Sequence, residues 1–409
     1  MQKFRNLISQ SSTATRISVG IDIGSYGIKV IVAEANSPEE RAKPKIIGVG
    51  YAQSKSVRRG YITSIEDVSE SIKEAVSQAE KSSNYRITKA YLGIGGLGLF
   101  ASSFSGSTEL GVKETEITSA NISALTDEIE ENLPETFTIN RRVMHAVPLS
   151  FKVDGKMVIG KAVGMYGKTL ECKSLFVACL AQHIQDFIDA VELAGIEIDD
   201  VAASPLAASL ACVNKAQQMA GLVLVNIGAE TTSVSVFENG APISIEVLPL
   251  GSGDITNDIA LGFKISLEEA ERIKIARPET IPYPRKKLEE IISARLSDIF
   301  DLVEAHLKKI GRSSLLPAGA VVTGGGALSP FVEQVAKSSL KLPIRKAGIK
   351  FDGKSTVSIK DGTWAVAYGL TILGINSSSE DSHSINIFKG RLLKKAKINF
   401  VAWIKKILP

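Results

Sequence analysis

Three short runs set the residue types that bind a phosphate at the ends of apolar strands. The first is Ile21-Asp22-Ile23-Gly24-Ser25-Tyr26-Gly27-Ile28-Lys29, an acid followed by a tight turn of small residues. Glycines let the backbone approach a phosphate, and the N–H groups of such a turn point at it. Ser25 can donate a hydroxyl proton, and Asp22 can hold a magnesium ion through its waters, because that ion keeps much of its hydration shell. Tyr26 completes the turn; Lys29 balances local charge, with no further role legible from spacing. The second run, Val225-Asn226-Ile227-Gly228-Ala229-Glu230-Thr231-Thr232, would grip the same phosphates from the opposite side. The third, Val322-Thr323-Gly324-Gly325-Gly326-Ala327, leaves a flat slot without side chains that suits an adenine ring. A strand followed by Gly-Ser is often a plain hairpin, but three such runs at domain-sized separations are hard to explain by turns alone.

The elements that must position these runs are legible from periodicity. Ile17–Val32 is strand-like and breaks at Gly24–Gly27, a hairpin, with a further strand at Lys45–Tyr51. Ser64 opens a helix with Asp67 as its capping-box partner, and Ile65, Val68, Ile72, Ala75, Val76 and Ala79 make its core stripe. From Tyr85 to Tyr166 short β-rich runs, Ala90–Ile94 and Val143–Val153, flank one helix, Thr118–Asn132, stopped by Pro134. This reads as a small α+β subdomain inserted between two pieces of a larger one. Ser174–Leu180 returns to a buried strand, followed by helices at Ile184–Ala194 and Pro205–Val213. Gly221–Phe237 then repeats the pattern of Gly20–Val32. Pro249–Gly262 and a long helical region, Ser266–Gly311, interrupted at Pro278–Pro284, precede the strand Ala318–Thr323. Ser329 is placed to cap a helix with Pro330 at its first position, and Thr363–Gly374 is a last helix.

The last residues have a different character. Leu392, Leu393, Ala396, Phe400, Trp403, Ile404 and Ile407 share one face of a helical repeat, and Lys389, Arg391, Lys394, Lys395, Lys397, Lys405 and Lys406 occur with no acid among them. Such a helix lies flat on an anionic membrane, apolar face at the acyl boundary and lysines among the headgroups. Trp403 suits that interface, and the serine-rich Ser377–Ser384 is a flexible linker to it. The chain's net charge is +4, so without those seven basic residues the rest is net −3. That localised charge speaks for an anionic surface at one end and against a nucleic-acid binder. Apolar content of 44% and charged content of 22% are those of a globular protein of two lobes at 409 residues. Three cysteines without ligand-like spacing point to a reducing cytoplasm, and four scattered histidines argue against a zinc site. No apolar run reaches the length of about 18 residues that spans a bilayer, and MQKFRNLISQ lacks the apolar core of a signal peptide.

The order of hairpin, hairpin and glycine slot resembles the actin, Hsp70 and sugar-kinase superfamily. Within it the chain is similar to the FtsA family of bacterial cell-division proteins, on the stretches His145–Gly155, Val163–Glu171, Pro249–Ala260 and Glu269–Lys274, and on the tail behind its linker. The resemblance covers residues 16–374 and the tail. It implies an α/β, actin-like fold: two lobes, each a mixed sheet flanked by helices, around an ATP cleft. The implied division is 1–15 a loose N-terminus, 16–84 the first lobe, 85–165 the inserted α+β subdomain, 166–203 the first lobe again and 204–255 the second lobe. A subdomain of the second lobe follows at 256–314, then its return at 315–360, a closing helix at 361–376, the linker at 377–386 and the amphipathic helix at 387–409.

The cofactors implied are ATP and magnesium. Asp22, Gly24, Ser25, Tyr26 and Lys29 correspond to the first phosphate loop, with Asp22 meeting magnesium through water; Asn226, Gly228, Thr231 and Thr232 correspond to the second. Gly324, Gly325 and Gly326 would lie along the adenosine, and Glu271 and Lys274 match the pair that reaches the ribose hydroxyls. The family's second loop opens with an aspartate where this chain has Asn226. An amide cannot hold magnesium or orient water as a carboxylate does, so ATP is expected to bind and be hydrolysed slowly or not at all. The implied partners are the C-terminal peptide of the tubulin-like protein FtsZ, at the second lobe's subdomain; an anionic membrane; further copies of the chain in a head-to-tail filament; and other division proteins at the insertion.

Gly93-Ile94-Gly95-Gly96-Leu97-Gly98 imitates a dinucleotide loop but reads better as a close-packed strand end in the insertion, since no acidic partner and no capped helix follow it. His145 and His183 sit among apolar residues as core histidines; His306 is expected on a helix surface. Arg285-Lys286-Lys287 starts a helix and is either a solvated charged face or a docking surface, the resemblance favouring docking. Two rival expectations are a type IV pilus assembly protein, whose relatives lack the basic tail, and a sugar kinase, which would need a carboxylate base and a sugar motif.

Overall fold

The computed structural model describes residues 15–275, 283–349 and 362–377. The tail, nearly all of the linker and the N-terminal residues 1–14 lie outside these.

Strand Arg16–Ile23 turns back into Gly27–Ala35, pairing Arg16 with Ala35 and Ile23 with Ile28. Gly27–Ala35 pairs antiparallel with Lys45–Gln53 on its far side. On the other flank, Lys89–Ile94 runs parallel to Arg16–Ile23, and Glu197–Ala203 runs parallel to Lys89–Ile94. The strands are apolar on both faces because helices cover both. Helix Ile65–Ser83 lies on one side, its start capped by the Ser64 hydroxyl, which accepts from the Asp67 N–H. The expected reciprocal bond is absent: the Asp67 carboxylate accepts from Ser56 Oγ instead, at 2.5 Å, tying the helix to the loop before it.

The second lobe repeats this plan strand for strand. Leu222–Ile227 pairs antiparallel with Thr232–Glu238, which pairs antiparallel with Ala241–Leu248; Ala320–Thr323 and Ile344–Lys346 extend the other flank in parallel. Both sheets thus have the third, second, first, fourth and fifth strand of the lobe side by side. The expected repeat of the two hairpins is a repeat of whole sheets. Helix Ala365–Asn376 crosses back from the second lobe to the first, where Val366, Leu370, Ile372 and Leu373 join the core of Ile21, Val30 and Leu92. It approaches so closely that a Cβ on Gly20 would stand 2.3 Å from the Ala367 carbonyl oxygen.

The insertion is an antiparallel sheet of Leu99–Glu109, Thr169–Leu180, Arg141–Val153 and Lys156–Met157, in that order, with helix Ser119–Glu131 against it. Its composition by strand differs from expectation. Lys89–Ile94 belongs to the first lobe's sheet, and the strand expected at Ser174–Leu180 in the first lobe runs over Thr169–Leu180 and is central in the insertion, bonded on both edges. An apolar strand cannot announce which sheet it joins. Here the two faces part company: Leu170, Phe176 and Ala178 enter the insertion's core, while Leu175, Val177 and Cys179 enter the first lobe's.

Two smaller expectations fail. Ser329 caps no helix: Gly325–Leu328 forms a tight 3₁₀ turn that delays the helix to Val332–Leu340, and the Ser329 hydroxyl is buried without a partner among the described residues. His306 is buried, its Nε2 2.9 Å from Ser244 Oγ and its Nδ1 3.6 Å from Glu246. His145 and His183 are buried as expected; the former accepts from the Ala203 N–H at 3.0 Å, and the latter lies 2.8 Å from the Gly95 carbonyl oxygen.

Candidate functional site

The two hairpin turns face each other across a cleft of about 440 Å³ between the lobes. They are built alike: the Gly24 N–H bonds the Gly27 carbonyl at 3.2 Å, and the Gly228 N–H bonds the Thr231 carbonyl at 2.9 Å. In each turn the two N–H groups between, of Ser25 and Tyr26 and of Ala229 and Glu230, donate to no acceptor among the described residues. Paired turns with free N–H groups make an anion-binding concavity. The second turn is braced from behind by helix Ser252–Phe263, whose Ser252 and Gly253 N–H groups bond the Gly228 and Ala229 carbonyls at 2.8 and 2.7 Å.

The hairpin register gives Lys29 its place. It stands directly opposite Asp22, with Nζ 3.9 Å from Oδ2. Burial pushes the Asp22 carboxyl above its ordinary range, and the Lys29 charge opposes that only in part. A carboxylate raised by burial beside one distant cation is a site where a second cation would be welcome. Asn226 lies in register between Ser233 and Thr323 at the end of its strand, facing Asp22's lobe.

Glu271 and Lys274 share a face of helix Leu267–Ile275 and form an ion pair of 2.6 Å. Lys274 Nζ also donates to Thr256 Oγ1 at 2.8 Å and to the Ser252 carbonyl at 3.0 Å, and Thr256 Oγ1 donates to Glu271 at 2.5 Å. Burial lowers the Lys274 pKa, and Glu271 works against that shift.

Of the expected residues, Asp22, Gly24, Ser25, Tyr26, Lys29, Asn226, Gly228, Thr231, Glu271, Lys274, Gly324 and Gly325 line this one cleft. Two do not. Thr232 is fully buried and donates to the Leu250 carbonyl at 2.8 Å, holding the strand end. Gly326 packs on Ile227, where a Cβ would meet Cγ2 at 2.2 Å. By contrast nothing lies within 4 Å of a Cβ on Gly325, so the slot is open there.

Sequence reasoning missed Tyr51, Ile275, Leu328 and Trp364, which wall the cleft from four separate elements and have no common motif. It also set aside the Gly93–Gly98 run. That run does end a strand, but a first-lobe strand, and Gly95 and Gly96 form cleft wall. Among the described residues no group of acids, histidines and cysteines could hold a metal by itself, and no helix is long and apolar enough to cross a membrane. Of the basic helix start, Lys287 is occupied by its own body, donating to the Gly262 carbonyl at 2.6 Å and lying over the Phe263 ring. Arg285 and Lys286 are exposed.

Two lobes built on one sheet plan, each presenting a hairpin turn to a shared cleft and joined by a returning helix, define an actin-like protein. A chain of the PilM–PilN type IV pilus biogenesis complex has this fold, with a TM-score of 0.66 at 18% identity, covering 88% of this chain and 99% of that one. In sequence the family described as cell division protein FtsA matches residues 223–369, and the SHS2 domain inserted in FtsA matches residues 100–178. The cell division protein FtsA of Pseudomonas aeruginosa is 26% identical over 387 residues, covering 89% of this chain and 91% of that protein. That of Bacillus subtilis is 29% identical over 374 residues, covering 86% and 82%. That of Escherichia coli is 24% identical over 438 residues, covering 97% and 99%. The chain belongs to the FtsA family of cell-division proteins.

Proposed function

We propose that this chain binds ATP with magnesium in the interlobe cleft and tethers an FtsZ ring to the cytoplasmic face of the membrane at the division septum. The observation that carries the nucleotide reading is the pair of like-built turns with free N–H groups on either side of an open glycine slot. Ser25 and the turn N–H groups would hold the phosphates, Asp22 would orient the magnesium's waters, and Glu271 with Lys274 would meet the ribose hydroxyls. Gly324 and Gly325, between Ile275, Leu328 and Trp364, give the base an apolar slot. The magnesium ion, when bound, neutralises phosphate charge. With Asn226 where a carboxylate would orient water, the nucleotide acts as a ligand that closes the lobes and favours filament assembly rather than as fuel.

The tail supports the tether. Seven basic residues without an acid, and an apolar face ending in Trp403, Ile404 and Ile407, fit an anionic bilayer. One such helix binds reversibly, so head-to-tail filaments would multiply weak tails into firm attachment. The subdomain holding Arg285 and Lys286 is the proposed seat of the FtsZ C-terminal peptide, and the insertion that of other division proteins. The pilus reading rests on fold likeness alone, whereas the curated relatives quoted above are all cell-division proteins.

Deleting Phe388–Pro409 tests the tether. The truncated chain is expected to stay in the supernatant with anionic liposomes while binding ATP as the full chain does. Equal pelleting of both forms would sink the assignment of the anchor.

A further inference from the structure

Glu230, in the second turn, reaches across the cleft to the other lobe. Its carboxylate accepts from the Arg58 guanidinium at 3.1 Å and, through a short bond, from the Arg59 backbone N–H. In the same Arg58–Gly60 turn the Gly60 N–H donates to Ser25 Oγ at 3.3 Å. One turn of the first lobe thus touches both phosphate-facing turns. Neither end of this bridge is loose. Gly60 and Gly96, both at positive φ, pack backbone to backbone, and the Leu97 N–H bonds the Arg59 carbonyl at 3.3 Å. A Cβ on Gly96 would stand 2.7 Å from the Gly60 Cα, so the turn is seated on the first lobe without slack. Across the gap, the Ser252 and Gly253 N–H groups fix the second turn to its own lobe.

We propose that Glu230 is a positioning residue that latches the two lobes at the phosphate side of the cleft and so sets how long a bound nucleotide stays. The inference rests on the nucleotide reading above. Through Gly60 the latch also orients Ser25: a hydroxyl oxygen that accepts from Gly60 keeps its proton for an acceptor inside the cleft. The two contacts differ in weight. The Arg58 side chain is 74% exposed, so its ion pair is screened, whereas the bond from the Arg59 backbone to a largely covered carboxylate is charge-assisted. Three variants should therefore fall in a set order. Glu230→Ala loses both contacts, Glu230→Gln keeps an oxygen for the Arg59 N–H, and Arg58→Ala loses only the exposed pair.

The test is stopped-flow release of a fluorescent ATP analogue from the full chain, with urea unfolding measured in parallel. Release is expected to quicken about tenfold in Glu230→Ala and by less than about threefold in Arg58→Ala, with Glu230→Gln between. Unfolding midpoints should change little. Release from Glu230→Ala within twofold of the parent would overturn the proposal. A second readout needs no nucleotide. Spin labels at Lys55→Cys and Glu268→Cys, both exposed sites, report the interlobe distance, and the native cysteines are buried. Glu230→Ala should broaden that distance distribution, and an unchanged distribution would overturn the latch. A parent chain that takes up no nucleotide would refute the nucleotide reading and the release claim together, while the labels still decide whether Glu230 holds the lobes.

Discussion

Asp200 and His145 should pull the stability of the first lobe in opposite directions across one pH window, and replacing Asp200 with asparagine separates them. Asp200 lies in the strand Glu197–Ala203 that leads to Ser204 at the cleft, and its carboxylate accepts from the Val201 N–H at 2.7 Å. Burial, reinforced by the neighbouring charge of Asp199 and opposed by that hydrogen bond, pushes its pKa from 3.8 to about 7. Between those values the folded chain holds a proton that the unfolded chain has lost, so stability falls as pH rises through the window. Three units at about 1.4 kcal/mol each give a ceiling of about 4 kcal/mol, and solvent contact on this partly buried residue lowers the expectation to about 2 kcal/mol. His145 accepts from Ala203 on the same strand, and burial lowers its pKa from 6.5 to about 4. Below 6.5 the unfolded chain takes a proton that the folded chain refuses, so stability falls as pH drops toward 4. Asp200→Asn keeps an oxygen for the Val201 N–H and removes only the titration. Urea unfolding at intervals from pH 4.5 to 8 should show the variant near the parent at the acid end and about 2 kcal/mol more stable at pH 8. The histidine slope is then no longer opposed by Asp200 in the variant, whose stability rises from pH 4.5 to 6.5, the buried His183 and His306, whose pKa values burial also lowers, adding to His145. A difference between variant and parent that is the same at both ends would refute the assignment.

Gly369→Ala should be costly, because its Cβ would stand 1.8 Å from the Ala207 carbonyl oxygen where the closing helix crosses Ser204–Cys212. A loss of about 1–3 kcal/mol in thermal or urea unfolding is expected, and a neutral change would contradict the close approach. Asn226→Asp restores a carboxylate to the second turn and should raise phosphate release from ATP severalfold without tightening binding; an unchanged rate would mean that position 226 does not limit hydrolysis.

The cleft was legible in the sequence to the extent that it is made of contiguous runs. Asp22 through Lys29 and Asn226 through Thr231 carry their own turns, so their chemistry and mutual likeness could be read directly. Lys29 could not be placed by spacing, because its position opposite Asp22 is a property of the hairpin register. Glu230 was visible within a run but its partner was not: Arg58 and Arg59 lie 172 and 171 residues away, on a turn with no motif of its own. The apolar wall of Tyr51, Ile275, Leu328 and Trp364 escaped for the same reason. Thr232 and Gly326 belong to the right runs but to the second lobe's packing: alternate residues of a strand face opposite ways, which buries Thr232, and the 3₁₀ turn after the strand seats Gly326 on Ile227. Thr169–Leu180 marks the limit for the fold, its two faces apolar toward two different cores.

The central claim is that the interlobe cleft is the nucleotide site, and calorimetric titration of ATP and magnesium into the parent chain and Gly325→Trp tests it most directly. The added indole has open space to enter and no backbone strain to overcome, since Gly325 has no neighbour within 4 Å of a Cβ and no positive φ. The parent should bind one equivalent of ATP, and the variant, folded and equally stable, should bind none. Equal binding by both, or none by the parent, would contradict the account.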